Sequence, residues 1–219
     1  MEKLKTLELF KGGGSFSKIM EEEGHECITL DILEKYKPTI CCDIMDFDYK
    51  QFEPGYFDII WASCECKIYS QLQYTHINTG KSTRKLKWDS KEQLEEARKR
   101  DSKFINRTIE IIEYLKPKKY FIENPLCSAI WKYVENKEFL EKFVICDYCR
   151  FGYDYKKPTK ILTNKLLENK RCLCKKHNMR LGITGKNIKN GLTDNMIKDN
   201  TTLNQRYSIP QKLLDYLFN

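Results

Sequence analysis

The sequence predicts an α/β fold: a doubly wound, mostly parallel sheet with helices on both faces. Three observations predict it. Short apolar runs alternate with amphipathic stretches along most of the chain, the rhythm of βαβ units. The run Tyr56–Ser63, "YFDIIWAS", is almost wholly apolar, as a strand covered on both faces must be. The residues best suited to chemistry fall at the ends of predicted strands, the edge at which open α/β sheets hold ligands.

The elements follow in order. Residues 5–10, "KTLELF", read as the first strand, and 15–24, "SFSKIMEEEG", as a helix closed by Gly24. "HECITLDI" (25–32) is a second strand, "PTICCDIMDF" (38–47) a short third and "YFDIIWAS" (56–63) the fourth. Residues 72–90 are polar, with Gly80 and several Ser and Thr, and read as a loop. The stretch 90–117 places apolar residues at helical spacing and stops at Pro117, which predicts one long helix. "KYFIENP" (119–125) is a fifth strand, 126–142 reads as helical, and 142–153 with 158–164 reads as a strand pair. Beyond 165 the chain is polar and basic until "IPQKLLDYLF" (209–218), an amphipathic helix beginning near Pro210. The expected division is a main domain over 1–164, a small basic segment over 165–205 and a closing helix over 206–219 that packs back on the main domain.

A chain of 219 residues can bury a core without staples. Its 39 Lys and Arg outweigh 31 Asp and Glu, for a net charge of +8, and a basic balance suits a polyanion such as DNA or RNA. Ten dispersed cysteines, and an opening "MEKLKT" that runs straight into a strand, point to a reducing, cytoplasmic setting in which the cysteines are thiols or ligands. No stretch approaches the roughly 20 apolar residues of a membrane span.

The first loop carries Phe10-x-Gly12-x-Gly14 between strand and helix, where glycines let backbone turn sharply and approach a ligand. Asp31 ends the second strand, placed to hold ribose hydroxyls, and Asp43 ends the third, placed to accept from an adenine amino group. With their neighbours Ser15, Ile32 and Ile44, and Ser63 at the end of the fourth strand, they form the expected site for a nucleoside cofactor. No third glycine follows three positions later, and the chain has little room for a second nucleotide-binding half, so S-adenosyl-methionine suits it better than NAD. Taken singly, the glycines are also those of any βα loop, and the aspartates those of ordinary turns.

After the fourth strand stands Cys64-Glu65-Cys66. Spacing alone leaves this pair open as a metal clip, as buried thiols or as a source of one nucleophile. Farther on, Cys172-x-Cys174-x-x-His177, with Cys149 or Cys146 as a further donor, is a candidate zinc set, although Cys-x-Cys is a less typical spacing than Cys-x-x-Cys.

These motifs together resemble the cytosine DNA methyltransferases that act at carbon 5, most nearly their small phage and giant-virus forms. Glu8-Leu9-Phe10-Lys11-Gly12-Gly13-Gly14 is similar to that family's acidic residue followed by Leu-Phe-x-Gly-x-Gly. Cys66-Lys67-Ile68-Tyr69-Ser70 keeps the cysteine, aromatic and serine of the family's Pro-Pro-Cys-x-x-(Phe/Tyr)-Ser in step, whereas three residues beyond Cys64 stands Lys67. Glu123-Asn124-Pro125 matches Glu-Asn-Pro, residues 147–164 resemble the substrate-side segment with its basic residues, and "RYSIPQKLL" (206–214) faintly resembles the closing Arg-x-Leu-Thr-Pro. The resemblance implies a Rossmann-like, S-adenosyl-methionine-dependent methyltransferase sheet acting on DNA, with RNA still open. Within it Cys66 is the nucleophile toward carbon 6 of cytosine. Glu123 is the acid at ring nitrogen N3, which needs a carboxyl that holds or shares a proton. Lys156, Lys157 and Lys160 are the substrate-side cations.

Two departures stand out. The family's Pro-Pro is Cys64-Glu65 here, so loop stiffening is lost and Glu65 is expected to raise the pKa of the neighbouring thiol. The paired arginines align with Pro158 and Lys160, so one basic contact is absent or has moved to Lys156 or Lys157. These departures keep open a catalytically impaired relative that binds cofactor or nucleic acid. An exocyclic-amine methyltransferase ranks lower, because Ser63-Cys64-Glu65-Cys66 lacks the prolines and aromatic such enzymes carry there.

Overall fold

A computed structural model describes residues 2–77, 88–153, 155–173 and 208–218. Its centre is one seven-stranded sheet. The strands are β1 (Lys5–Leu9), β2 (Glu26–Asp31), β3 (Ile40–Cys41), β4 (Ile59–Ala62), β5 (Lys119–Pro125), β6 (Phe143–Asp147) and β7 (Pro158–Thr163). Their spatial order is β3-β2-β1-β4-β5-β7-β6, parallel except for β7, which runs antiparallel to both neighbours. The chain moves outward from β1 to β3, then returns to β4 beside β1. The loops leaving β1 and β4 therefore diverge at a reversal of strand order and open a crevice at the carboxyl edge.

β4 shows why the sheet has two covered faces. Ile60 and Ala62 point into one core with Leu7, Leu9, Ile122 and the helix residues Ile105, Ile109 and Ile112. Ile59 and Trp61 point into the other, with Phe16, Met20, Phe121, Leu213 and Leu217. Helix α1 (Ser15–Glu22) and α4 (Gln211–Phe218) cover this second face, and Phe16 stacks on Trp61 at 5.4 Å. No described helix is long and apolar enough to cross a membrane.

Four expected elements differ. The predicted helix over 90–117 is two helices, α2 (Lys91–Asp101) and α3 (Lys103–Leu115). They meet at Ser102, whose hydroxyl bonds back to the Lys99 carbonyl at 2.7 Å. The expected helix over 126–142 is instead two short 3₁₀ turns, Ala129–Tyr133 and Lys137–Leu140. Ser128 and Asn136 accept from the amides of Ile130 and Glu138, and these local bonds break the segment into turns. The third strand shrinks to Ile40–Cys41, and the strand expected over 142–153 ends at Asp147 in a 3₁₀ turn closed by Gly152 at φ 95°. In the stretch read as a loop, Gln71–His76 forms a further 3₁₀ turn, and residues 78–87 lie outside those described.

Candidate active site

The loop after β1 is wound tightly. Phe10, Gly12 and Gly14 all have positive φ, at 60°, 49° and 64°. The loop is pinned where Lys11 N donates to Leu30 O (3.0 Å) and Gly12 N to Asp31 Oδ2 (2.8 Å). The other oxygen of Asp31 accepts from Leu33 N at 2.8 Å. Each carboxylate oxygen thus keeps lone-pair capacity for a further donor.

Beside this loop lies a cavity of about 150 Å³ whose walls include Phe10, Asp31, Ile32, Asp43 and Ile44, with Cys64 and Tyr69 at the β4 side. Apolar walls with two carboxylates at strand ends suit a nucleoside, so the residues present fit the cofactor the sequence suggests. Two expected members of that set are occupied elsewhere. Ser15 Oγ accepts from Ile209 N at 3.2 Å, joining α1 to the segment before α4, and Ser63 Oγ accepts from the Trp61 indole at 2.9 Å. Gly12 and Gly14 shape the loop and do not line the cavity. Below the loop, the buried Glu8 carboxylate accepts from Ser17 N at the start of α1, and burial pushes its pKa up to about 7.

β4, β5 and β7 bring the second constellation together. Beyond β4, a short turn carries Cys66, with Tyr69 N donating to Cys66 O at 3.1 Å. At the end of β5, Asn124 Nδ2 donates to Cys64 O at 2.8 Å, which docks the turn against Glu123. Lys157, just before β7, lies 3.7 Å from Glu123 Oε1 and 4.5 Å over the Tyr148 ring. The Cys66 thiol feels all of these: burial raises its pKa first, the Glu123 charge raises it further, and Lys157 lowers it. Glu65 contributes only a smaller rise, because it sits in solvent paired with Lys67 at 3.3 Å. Cys64 is buried against Thr108 and its thiol is pushed up to about 12. Glu123 Oε1 and Asn124 Oδ1 are buried without a hydrogen-bond partner among the described residues, so this corner of the protein holds unspent polar capacity.

The three expected substrate-side lysines do not meet. Only Lys157 reaches Glu123. Lys156 lies 3.6 Å from Asp147 and donates to Cys172 O, and Lys160 lies over the rings of Phe143 and Trp131. Only Lys160 lies on β7; Lys156 and Lys157 precede it and turn to different partners. The expected zinc set is only partly described. Cys174 and His177 lie outside the described residues, and among the described residues no three His, Cys, Asp or Glu side chains could hold a metal ion. The Cys172 amide instead donates to Asp147 Oδ2 at 2.7 Å.

Sequence reasoning missed Arg98. It lies on α2, fully buried, and bonds to the carbonyls of Ile68 (2.9 Å) and Ser70 (3.0 Å). The available signal was its position on the stripe Leu94-Ala97-Arg98, where an apolar residue is expected.

A reversed seventh strand, a glycine loop after β1 and a crevice where strand order turns define a Rossmann-like methyltransferase. No protein-family model matches the chain. It is 32% identical over 164 residues to a "Probable DNA (cytosine-5)-methyltransferase" of Frog virus 3 (isolate Goorha), covering 74% of this chain and 71% of that relative. The chain belongs to the DNA (cytosine-5)-methyltransferase family. Among solved structures it is similar to the Entamoeba histolytica methyltransferase EhMeth, at 15% identity and TM-score 0.48 over 78% of this chain and 57% of that one. A second is S. pombe Dnmt2 methyltransferase, at 12% identity and TM-score 0.47 over 76% and 52%. The chain thus spans little more than half the length of those two structures.

Proposed function

We propose that the chain methylates carbon 5 of cytosine in DNA through a covalent bond between Cys66 and carbon 6. The observation that carries this reading is the meeting of Cys66, Glu123 and Lys157 at the ends of three adjoining strands, beside a cavity suited to a nucleoside. Cys66 Sγ, as thiolate, bonds to carbon 6 of the base. Glu123 provides a proton at N3, so the electron pair displaced from the ring double bond makes carbon 5 nucleophilic. Bound S-adenosyl-methionine supplies the methyl group, held by Asp31, Asp43 and the walls around them. Loss of the carbon 5 proton to a base then restores the carbon 5–carbon 6 double bond and expels Cys66 Sγ as thiolate, and the N3 proton returns to Glu123. Lys157 steadies the carboxylate that Glu123 becomes once its proton has passed to N3, and lowers the pKa of the thiol. The target base must leave its stack to reach a thiol this recessed.

The same reading assigns residues 1–164 to the catalytic domain and 165–205, most of which lie outside the described residues, to contacts with the nucleic acid backbone. It places the reaction inside a host cell. Cys64-Glu65 and the raised thiol pKa favour one alternative, a relative that binds cofactor and nucleic acid without turnover.

One experiment separates them. DNA carrying 5-fluorocytosine, whose fluorine cannot leave as a proton does, is incubated with the protein and S-adenosyl-methionine, and adducts are located by mass spectrometry. An adduct at Cys66, absent in Cys66→Ala, is expected. Cofactor binding without any adduct or methyl transfer would favour the binding relative. A parallel RNA substrate decides the nucleic acid.

A further inference from the structure

The turn that carries Cys66 is not regular structure. Within the turn, backbone bonds run from Tyr69 N to Cys66 O and from Ser70 N to Lys67 O. Its place beside Glu123 therefore depends on anchors from outside. Asn124 holds Cys64 O, Ala129 N holds Tyr69 O at 2.9 Å, and Arg98 holds the carbonyls two and four residues beyond Cys66.

Arg98 is the centre of a closed network. Its Nη1 donates to Tyr74 Oη (2.8 Å) and Glu95 Oε1 (2.7 Å), while Tyr69 Oη donates to the Arg98 carbonyl (3.0 Å). Tyr74 and Tyr133 both donate to Glu95, which holds that carboxyl down at about 2. Burying a guanidinium on the apolar stripe of a helix is costly, and an aliphatic residue would pack there with less penalty. What an aliphatic residue cannot do is grip two backbone carbonyls in fixed geometry, which the planar fork of arginine does.

We propose that Arg98 is a positioning residue for the nucleophile. Its guanidinium holds the Cys66 turn in register with Glu123 and supplies the stiffness that Cys64-Glu65, standing in place of two prolines, does not. This rests on the reading of Cys66 as nucleophile.

The test compares the full chain with Arg98→Lys and Arg98→Met. For each variant the rate of adduct formation on 5-fluorocytosine DNA, KM for DNA, cofactor binding and thermal midpoint are measured. Displacing a reacting group by about 1 Å costs on the order of a hundredfold in rate, so adduct formation and kcat should fall roughly ten- to hundredfold. KM for DNA and cofactor binding should stay near wild type. Arg98→Lys keeps a charge for Glu95 but cannot span both carbonyls, so it carries the test if Arg98→Met does not fold. A folded Lys variant that traps DNA at the wild-type rate, or loses affinity alone, overturns the proposal. If the wild-type chain forms no adduct, the nucleophile reading falls, and labelling of Cys66 by iodoacetamide across pH decides Arg98 by itself. A slipped turn moves Cys66 away from Glu123 and lowers its labelling midpoint; an unmoved midpoint in both variants overturns the proposal.

Discussion

Asn124 on β5 donates to the carbonyl of Cys64 at 2.8 Å, so the strand that presents Glu123 also grips the loop that presents Cys66. The two proposed reactive groups are thereby held by one hydrogen bond between neighbours of each. Asn124→Ala leaves a carbonyl unpaired, but it also removes Asn124 Oδ1, which has no partner of its own. The expected cost is about 1–2 kcal/mol, read as a lower urea midpoint with unchanged slope. Asn124→Asp should cost more, because a carboxylate would face the carbonyl. Equal stability of all three forms would show that the bond contributes nothing.

The pH dependence of Cys66 follows from its surroundings. Burial and then Glu123 raise its pKa, so its reaction with iodoacetamide should rise at a higher pH than that of a free thiol. Glu123→Gln should move the midpoint down, and Lys157→Met should move it up. Glu65→Ala should move it less than Glu123→Gln, since Glu65 is exposed and paired with Lys67. A larger shift from Glu65 than from Glu123 would reverse this ordering of causes.

The Tyr148 hydroxyl is fully buried and makes no well-formed hydrogen bond; what contact it has is with the Thr159 hydroxyl, whose own proton goes to the Lys157 carbonyl at 3.2 Å. Tyr148→Phe keeps the ring under Lys157 and removes the cost of the stranded oxygen. Its thermal midpoint should be unchanged or higher, by up to about 1 kcal/mol in stability. A loss of that size would show that the hydroxyl is satisfied in solution, for example by a bound water.

The strands were legible because β4 and its neighbours carry runs of apolar residues that only a sheet covered on both faces can bury. That Phe10, Asp31, Ile32, Asp43 and Ile44 come together at one cavity was legible because strand ends are fixed by those runs. What failed was set by single side chains. Ser102, Ser128 and Asn136 bond to nearby backbone and break helices whose apolar spacing looked continuous. Lys156, Lys157 and Lys160 were expected from the family's basic segment, but the order of residues does not reveal that Lys156 pairs with Asp147 while Lys160 lies over Phe143. Arg98 stood on an apolar stripe, but its role was not legible there because its partners Ile68, Ser70 and Tyr74 are distant in sequence.

The last prediction concerns Glu8. Burial lifts its pKa from 4.5 to about 7, against the opposing hydrogen bonds from Ser17 and the charge of Lys11. Folded Glu8 therefore holds more proton than unfolded Glu8 between those values, and its contribution to stability falls as pH rises through them. Above the higher value the penalty is constant and on the order of 3 kcal/mol. Glu8→Gln keeps an oxygen to accept from Ser17 N but carries no charge to desolvate. The variant should match wild type near pH 4.5, exceed it at pH 8, and show a flatter stability profile between, measured by urea unfolding at each pH. An identical slope in both proteins would place the ionisation elsewhere.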